Sequence, residues 1–239
     1  MLAAVLHLSR RPDLARTCAT FANSPEATAC GPAWSCLAVE NEQRCRRALE
    51  VPTARYRDAK AAAAVLVSLC SVAGVPSFLY TLRSKTLRGR HKGEVSFPGG
   101  KCDPSDKSVI HTALREAEEE LGIQVLEENV WGVMKPLTIS AGMVIVPVVA
   151  NLGCKESLSL RPNSTEVEDV FTLSLPHICE KQNQGYTNFR WHGHYHYTSP
   201  VFLHGKYRVW GITAVVTDSA LKLLVPGLYR SNFSIRHQS

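Results

Sequence analysis

The stretch GEVSFPGGKCDPSDKSVIHTALREAEEELGI, residues 93–123, decides how the rest of the sequence is interpreted. Two glycines directly follow Phe97 and Pro98, and a helix is predicted from about Lys107 to Leu121. That helix carries four glutamates, at positions 116, 118, 119 and 120. Like charges one turn apart repel, at a cost of roughly a few tenths of a kcal/mol per pair in an isolated helix. The stretch therefore indicates either a solvated acidic face or a positive group held among the carboxylates.

The two sides of this helix differ when about 100° is allotted to each residue. Its apolar residues form one stripe, which predicts the side that faces the core: Ile110, Ala113, Leu114, Ala117 and Leu121. Glu116, Glu119 and Glu120 lie on one flank. Glu118 lies on the opposite flank. Three carboxylates can thus converge on one object, and Arg115 stands one turn from Glu119, where it can hold that carboxylate.

Carboxylate oxygens beside a glycine-rich turn suit a hard divalent cation such as Mg²⁺ or Mn²⁺. Gly100 lets the backbone bend closely, so its carbonyl can add a ligand. The sequence therefore predicts a metal-binding set at the junction of turn and helix: Glu116, Glu119, Glu120 and Gly100.

Beyond this stretch, predicted strands and helices mingle in a non-alternating order. We predict a polar helix at 40–50, strands at 61–70, 78–84, 130–138 and 143–152, a polar turn at 161–171, a short helix at 176–182, strands joined through residues 204–205, and a closing helix at 212–224. This order predicts an α/β fold in which helices cover both faces of a mixed sheet.

The 239 residues carry a formal net charge of +6, which suits anionic substrates or a basic targeting segment. We expect no membrane span, because no apolar run approaches the roughly 20 residues that a bilayer requires. The first 24 residues contain three arginines and one acid, a composition typical of a mitochondrial presequence; the alternative is a disordered tail. We divide the chain into a presequence or tail (1–37), a lead-in helix (38–57), the main domain (58–230) and a short tail (231–239).

Residues 115–123, REAEEELGI, resemble the second half of the Nudix box, G-x5-E-x7-R-E-U-x-E-E-x-G-U, where U is aliphatic. If Gly100 is the first glycine of the box, Asp106 takes the place of its first glutamate, and one extra residue separates Asp106 from Arg115. Residues 79–100, LYTLRSKTLRGRHKGEVSFPGG, resemble the signature that precedes the box in the coenzyme A diphosphatase branch of the Nudix superfamily. The likeness covers roughly residues 60–225, and the presequence-like start adds a likeness to mitochondrial members from vertebrates.

The resemblance implies a Nudix-type α/β/α sandwich and a hydrolase in which water attacks phosphorus with the help of Mg²⁺ or Mn²⁺. The implied substrate is coenzyme A or acyl-CoA, cleaved to 3′,5′-ADP and (acyl-)4′-phosphopantetheine. Glu116, Glu119 and Arg115 are the expected catalytic residues, and Glu120 is the least direct of the expected metal ligands. The general base is left between a box glutamate and Glu166, whose alternative role is that of a helix-start residue favoured by the helix dipole.

A basic segment precedes the glycine turn, and its guanidinium groups suit phosphate oxygens. We assign substrate binding to Arg83, Arg88, Arg90 and Lys92, against the alternative of a solvated basic loop. We expect a small-molecule substrate, no nucleic-acid partner, a monomer or homodimer, and a location in the mitochondrial matrix.

Two other functions remain open at this stage. One is a Nudix hydrolase of another nucleoside diphosphate, such as ADP-ribose, a dinucleotide or an mRNA cap. The other is a non-hydrolysing nucleotide sensor, which would not need Arg115 and the glutamates to be intact together.

Overall fold

The computed structural model describes residues 35–87, 91–138, 142–191 and 194–231. Within these ranges the helices are α1 (Val39–Tyr56), α2 (Val109–Leu121), α3 (Leu175–Cys179) and α4 (Gly211–Leu224). The strands are β1 (Ala63–Val72), β2 (Val75–Arg83), β3 (Val95–Ser96), β4 (Gly99–Lys101), β5 (Val130–Val133), β6 (Leu137–Thr138), β7 (Val144–Cys154), β8 (Val167–Ser174), β9 (Gln184–Trp191) and β10 (His194–Phe202).

A mixed sheet forms the centre of the described part of the chain. Its path runs β3-β2-β1-β7-β5, with β8 added to β2 and β6 added to β7. Strands β1 and β7 are parallel, whereas β2 and β8, like β5 and β7, pair in the antiparallel sense. The predicted α/β architecture with a mixed sheet between helices is confirmed.

The sheet splits at β1, and this split positions the glycine turn. The first residues of β1 pair with β4, in the register Ala64–Gly100 and Val65–Gly99, whereas its last residues pair with β2. Gly99 has a φ of +152°, and a Cβ atom at this position would overlap the carbonyl oxygen of Ala64. The turn therefore lies tightly against β1 only because it carries no side chain there.

Helix α2 covers one face of the sheet with the apolar stripe predicted from sequence. Ile110, Ala113 and Ala117 are buried against residues of β1 and β7, and Leu114 is partly buried at the edge of the same cluster. The helix begins two residues later than predicted, because the Ser108 hydroxyl caps it by accepting from the backbone N–H of His111.

Helices α1 and α4 cover the opposite face, over a cluster of aromatic rings from β2, the glycine turn and β8: Phe78, Tyr80, Phe97 and Phe171. The predicted helices at 40–50 and 212–224 correspond to α1 and α4. The two helices are also joined at their ends, since the Asn41 amide donates to the carbonyl of Leu224 and the Arg44 guanidinium donates to the carbonyls of Leu223 and Leu224.

Three predictions of local structure are wrong in part. The polar turn at 161–171 ends early, because Val167 begins strand β8, which adds to the free side of β2. The strand at 130–138 is two short strands, β5 and β6. The partner of β10 is β9, which precedes it, and the residues after His204-Gly205 contribute only an isolated bridge from Val209 to Phe202.

Gly132 in β5 offers a test of how closely α1 packs on the sheet. A Cβ atom at this position would lie 2.7 Å from both Leu49 Cβ and Thr53 Oγ1 of α1. We expect Gly132→Ala to lower the free energy of unfolding by about 1–3 kcal/mol more than Gly74→Ala, which has open space around it. Both glycines have positive φ, +148° at Gly132 and +80° at Gly74, so both substitutions also lose the conformational freedom of glycine. Denaturant unfolding measures the difference, and equal losses would contradict close packing of α1.

Candidate active site

The guanidinium of Arg115 organises the acidic end of α2. Its Nε and Nη2 donate to the two carboxylate oxygens of Asp106 at 3.0 Å each, which makes a bidentate pair. Its Nη1 donates to Glu119 at 3.0 Å, and its Nη2 lies 3.1 Å from Glu116 and donates to the carbonyl of Lys101. One side chain thus connects three carboxylates to the backbone of β4.

Asp106 holds Arg115 in this position. Its side chain is 3% exposed and also accepts hydrogen bonds from the Thr112 hydroxyl and the backbone N–H of Asp103, while His111 Nδ1 lies 2.9 Å away. The hydrogen bonds from Arg115, followed by those of its other donors, hold the pKa of Asp106 well below the ordinary value despite burial. Asp106 is therefore a fixed negative anchor at neutral pH.

Glu116 lies directly over the glycine turn. A Cβ atom on Gly100 would overlap the Glu116 carboxylate, so the missing side chain makes the space that this carboxylate occupies. Burial raises the pKa of Glu116, an effect that Arg115 opposes and the charges of Glu119 and Glu166 reinforce. The predicted convergence of Glu116 and Gly100 is therefore present.

Glu120 is the most enclosed of the four glutamates, with a side chain 2% exposed. Its carboxylate accepts from the backbone N–H of Gly99 at 3.3 Å and lies 3.6 Å from Arg83 Nη1. Burial raises the pKa of Glu120 to about 8, although Arg83 and the Gly99 N–H act in the opposite direction. This side chain contacts the turn backbone rather than solvent.

The remaining two glutamates of the helix are exposed. Glu119 is 52% exposed and is held by Arg115, as its spacing predicts. Glu118 is exposed on the other side of the helix. The predicted division of the glutamates into a group of three and a separate Glu118 therefore agrees with the structure, although only Glu116 and Glu120 are drawn into the protein.

Glu166 reaches this site from a distant loop. The loop is fastened to the end of α2, because the backbone N–H groups of Arg161 and Asn163 donate to the carbonyls of Leu121 and Glu120. The charge of Glu166 is the last of the causes that raise the pKa of Glu116 and of Glu120, after burial of each carboxylate. The loop that carries Glu166 therefore lies at the end of the helix that carries the buried box glutamates.

The predicted cationic residues lie in different situations. The Arg83 guanidinium stands beside Glu120, at the acidic cluster itself. Lys92 is exposed. Arg88 and Arg90 lie outside the described residues.

The donor set fits a hard divalent cation, although the side chains are paired with other groups as they stand. Within the described ranges, no three His, Cys, Asp or Glu side chains are grouped ready to hold a metal ion. Glu116 and Glu119 contact Arg115, and Glu120 contacts Arg83 and Gly99. The buried carboxylates nevertheless disfavour their own charge, and a divalent cation would restore it because a nearby positive charge lowers the pKa of a carboxylate.

Two features of the site are only partly predictable from the sequence. Asp106 is recognisable as the counterpart of a box residue, but its bidentate hold on Arg115 depends on the turn at Asp103–Asp106, which has no periodic signal. Asn163 is the other feature: its backbone joins the loop to α2, and its amide lies 3.5 Å from Glu166. A polar turn rich in Asn, Ser and Thr was the available signal for it.

The sequence of this chain matches known proteins across the same region. The NUDIX domain model matches residues 60–189. The mitochondrial coenzyme A diphosphatase NUDT8 of Mus musculus is 60% identical over 199 residues, covering 83% of this chain and 95% of the mouse protein. The Homo sapiens protein of that name is 60% identical over 195 residues, covering 82% of this chain and 83% of the human one. Nudix hydrolase 3 of Caenorhabditis elegans is 33% identical over 218 residues, covering 82% and 89%.

A carboxylate-rich helix packed against a glycine turn on a mixed sheet defines the class of fold and site. The chain belongs to the Nudix family of hydrolases. Members of this family need a divalent metal ion. No helix in the described ranges is long and apolar enough to cross a bilayer.

The anchoring role of Asp106 predicts a pH-dependent loss of stability. We expect Asp106→Asn to lower the free energy of unfolding by about 1.5–3 kcal/mol, the range for hydrogen bonds to charged groups. Because the pKa of Asp106 is lower in the folded protein, its contribution is complete at neutral pH and fades as the pH falls below about 5. The stability gap to wild type should therefore narrow in acid.

Thermal unfolding between neutral and acidic pH measures this gap. Asp58→Asn is the control, since Asp58 is exposed at the end of α1. A gap that stays constant into acid would contradict the ionised anchor.

Proposed function

We propose that this protein hydrolyses the diphosphate bond of coenzyme A or acyl-CoA, giving 3′,5′-ADP and (acyl-)4′-phosphopantetheine. The observation that carries the proposal is the seating of Glu116 over Gly100 beside buried Glu120, in a chain 60% identical to proteins named coenzyme A diphosphatases. The first point supports metal-dependent hydrolysis, and the second supports the choice of substrate.

Mg²⁺ or Mn²⁺ would be held by the carboxylates of Glu116, Glu119 and Glu120 and by the carbonyl of Gly100. When bound, the metal supplies charge that polarises the phosphoryl oxygens and acidifies water. Arg115 keeps Glu119 beside Glu116, so the exposed carboxylate is pre-positioned rather than free in solvent. Glu120 supports the turn by accepting from the Gly99 N–H.

We assign the general base to Glu166. It lies on a loop that is fastened to the end of α2 by backbone hydrogen bonds. Because Glu166 is not one of the proposed metal ligands on α2, its carboxylate is free to take a proton from water. The alternative base is a box glutamate, with Glu119 the exposed candidate. A Glu166→Gln variant that keeps full kcat would favour that alternative.

The substrate brings a diphosphate group whose oxygens require cations. Arg83, Arg88, Arg90 and Lys92 are proposed to bind it, and the proximity of Arg83 to Glu120 supports its membership of this set. Guanidinium groups bind phosphate oxygens with two parallel hydrogen bonds, which fixes orientation as well as charge.

We further propose a mitochondrial location in the matrix, in keeping with the mitochondrial names of the mouse and human relatives. Residues 1–37 would act as the presequence, 38–57 as the lead-in helix, 58–230 as the catalytic domain and 231–239 as a tail. The enzyme would act on a small molecule as a monomer or homodimer, without a nucleic-acid partner.

The decisive assay incubates the full chain with coenzyme A and either Mg²⁺ or Mn²⁺, and detects 3′,5′-ADP and phosphopantetheine by mass spectrometry. We expect cleavage that needs the metal and that Glu116→Gln lowers at least about a hundredfold, since metal stabilisation of the transition state is worth several kcal/mol. Glu118→Gln is the matched control, because Glu118 is an exposed glutamate of the same helix on the other flank. It should keep wild-type activity.

Other outcomes would assign the activity elsewhere. Cleavage of ADP-ribose with coenzyme A untouched would favour another nucleoside diphosphate as substrate. Tight nucleotide binding without cleavage of either would favour a sensor. Equal losses in the two glutamate variants would contradict the assignment of Glu116 as a ligand.

A further inference from the structure

A cationic loop lies beside the strand that leads away from Glu166. It comprises residues 203–208, Leu-His-Gly-Lys-Tyr-Arg, and joins β10 to α4. Its ends are closed by two backbone hydrogen bonds between Phe202 and Val209, at 2.8 and 3.0 Å. Neither the acidic helix nor the basic segment before the glycine turn contributes to it.

The loop is held rigidly at its first residue. The Leu203 N–H donates to the Asn183 carbonyl at 2.8 Å, and the Leu203 carbonyl lies 3.1 Å from His177 Nε2. The Asn183 amide nitrogen lies 3.2 Å from His177 Nδ1, an arrangement in which the amide donates to Nδ1 and Nε2 donates to Leu203. Both backbone groups of Leu203 are therefore fixed by buried or partly buried partners.

The middle of the loop is packed onto β8. A Cβ atom on Gly205 would overlap the Leu173 side chain, and the Tyr207 ring packs edge-on against Phe171 with centroids 5.0 Å apart. Lys206 Nζ lies 2.6 Å from Asp169 Oδ2, yet the Lys206 side chain is 57% exposed. The loop thus presents to solvent an ammonium group that is held beside Asp169 and lies 5.6 Å from the centroid of the Tyr207 ring.

Strand register places this loop near the acidic cluster. Asp169 pairs with Leu82, and Val167 pairs with Arg83, whose guanidinium stands 3.6 Å from Glu120. Glu166 is three residues before Asp169, so at most about 11 Å of extended chain separates them. Leu82 packs in the cluster under α1 and α4, so the loop lies on the face of the sheet opposite α2.

The charges around the loop leave a net positive patch. Lys85 pairs with Glu168 at 3.0 Å, and Asp169 balances Lys206. Arg208 is exposed beside the Trp210 ring, with its guanidinium carbon 5.9 Å from the ring centroid. Consider a ligand that is bound at Glu116 and Glu120 and carries a second anionic group. That second group would contact this positive patch at the end of the sheet.

We propose that Lys206 and Arg208 bind the 3′-phosphate of the substrate, an assignment that rests on the proposed coenzyme A hydrolysis. In coenzyme A one ribose separates the diphosphate from the 3′-phosphate, so the second anion site must lie near the first. The register supports this, because Asp169, the partner of Lys206, pairs with Leu82, the residue before Arg83. The partly buried Asp169 beside Lys206 positions the ammonium, and the exposed Arg208 adds a guanidinium suited to phosphate. The loop is a specificity element rather than a catalytic one.

The test compares coenzyme A with 3′-dephospho-coenzyme A as substrates of the full chain. We expect Lys206→Ala and Arg208→Ala each to raise KM for coenzyme A about tenfold, the value of one hydrogen bond between charged groups, and to leave KM for the dephosphorylated substrate unchanged. The control Lys135→Ala removes an exposed lysine between β5 and β6, at the other side of the sheet. The ratio of the two KM values does not depend on how much of a variant is folded.

Equal losses on both substrates, or no loss on coenzyme A, would overturn the assignment while leaving hydrolysis intact. If the wild-type protein cleaves neither substrate, the proposed function fails. The phosphate site in the loop is then tested separately, by calorimetric measurement of nucleotide binding. A preference of wild type for 3′,5′-ADP over 5′-AMP that disappears in the double variant would support the phosphate site. Absence of that preference in wild type would overturn it.

Discussion

The contact between Arg115 and Asp106 is the constraint on which the acidic site depends. A planar guanidinium has five donors in a fixed fork, so it can serve Asp106 with two parallel bonds and still reach Glu119 and the Lys101 carbonyl. A lysine carries its three donors on a single nitrogen, so it cannot make the same set of parallel and divergent hydrogen bonds. Because Asp106 stays ionised and nearly fully buried, the carboxylates of α2 are arranged around a cation that the protein itself supplies.

The second constraint is the split of the sheet at β1. Strand β1 changes partner along its length, from β4 to β2, and the glycine turn fills the gap. Gly99 allows contact with the Ala64 carbonyl, and Gly100 leaves room for Glu116. Helix and turn therefore depend on each other. The carboxylate of Glu116 occupies space that is open only because the turn has glycine at position 100.

The sequence was most informative where periodicity and local chemistry agree. The stripe of α2, the isolation of Glu118 and the pairing of Arg115 with Glu119 all follow from 3.6 residues per turn. Strand β8 was missed because its pairing with β2 depends on long-range register, which leaves a weak local signal. The β9–β10 hairpin is local, but its turn was expected at residues 204–205, whereas β9 ends at Trp191 and β10 begins at His194. The helical periodicity did not predict how deeply each glutamate is buried. Glu120 is enclosed and Glu119 is exposed, although the two are neighbours on one flank of the helix.

Substrate choice requires an explanation outside α2. A box of carboxylates and an arginine can activate any diphosphate, so discrimination must come from groups that contact the rest of the ligand. Two loops far along the chain approach the same end of the sheet: one carries Glu166, and the other carries Lys206 and Arg208. Both are fixed by backbone hydrogen bonds before any ligand arrives, so less ordering is required on binding. A rigid second anion site raises the affinity for substrates that carry a second phosphate at the matching distance. A compound that carries the diphosphate alone gains nothing from this site.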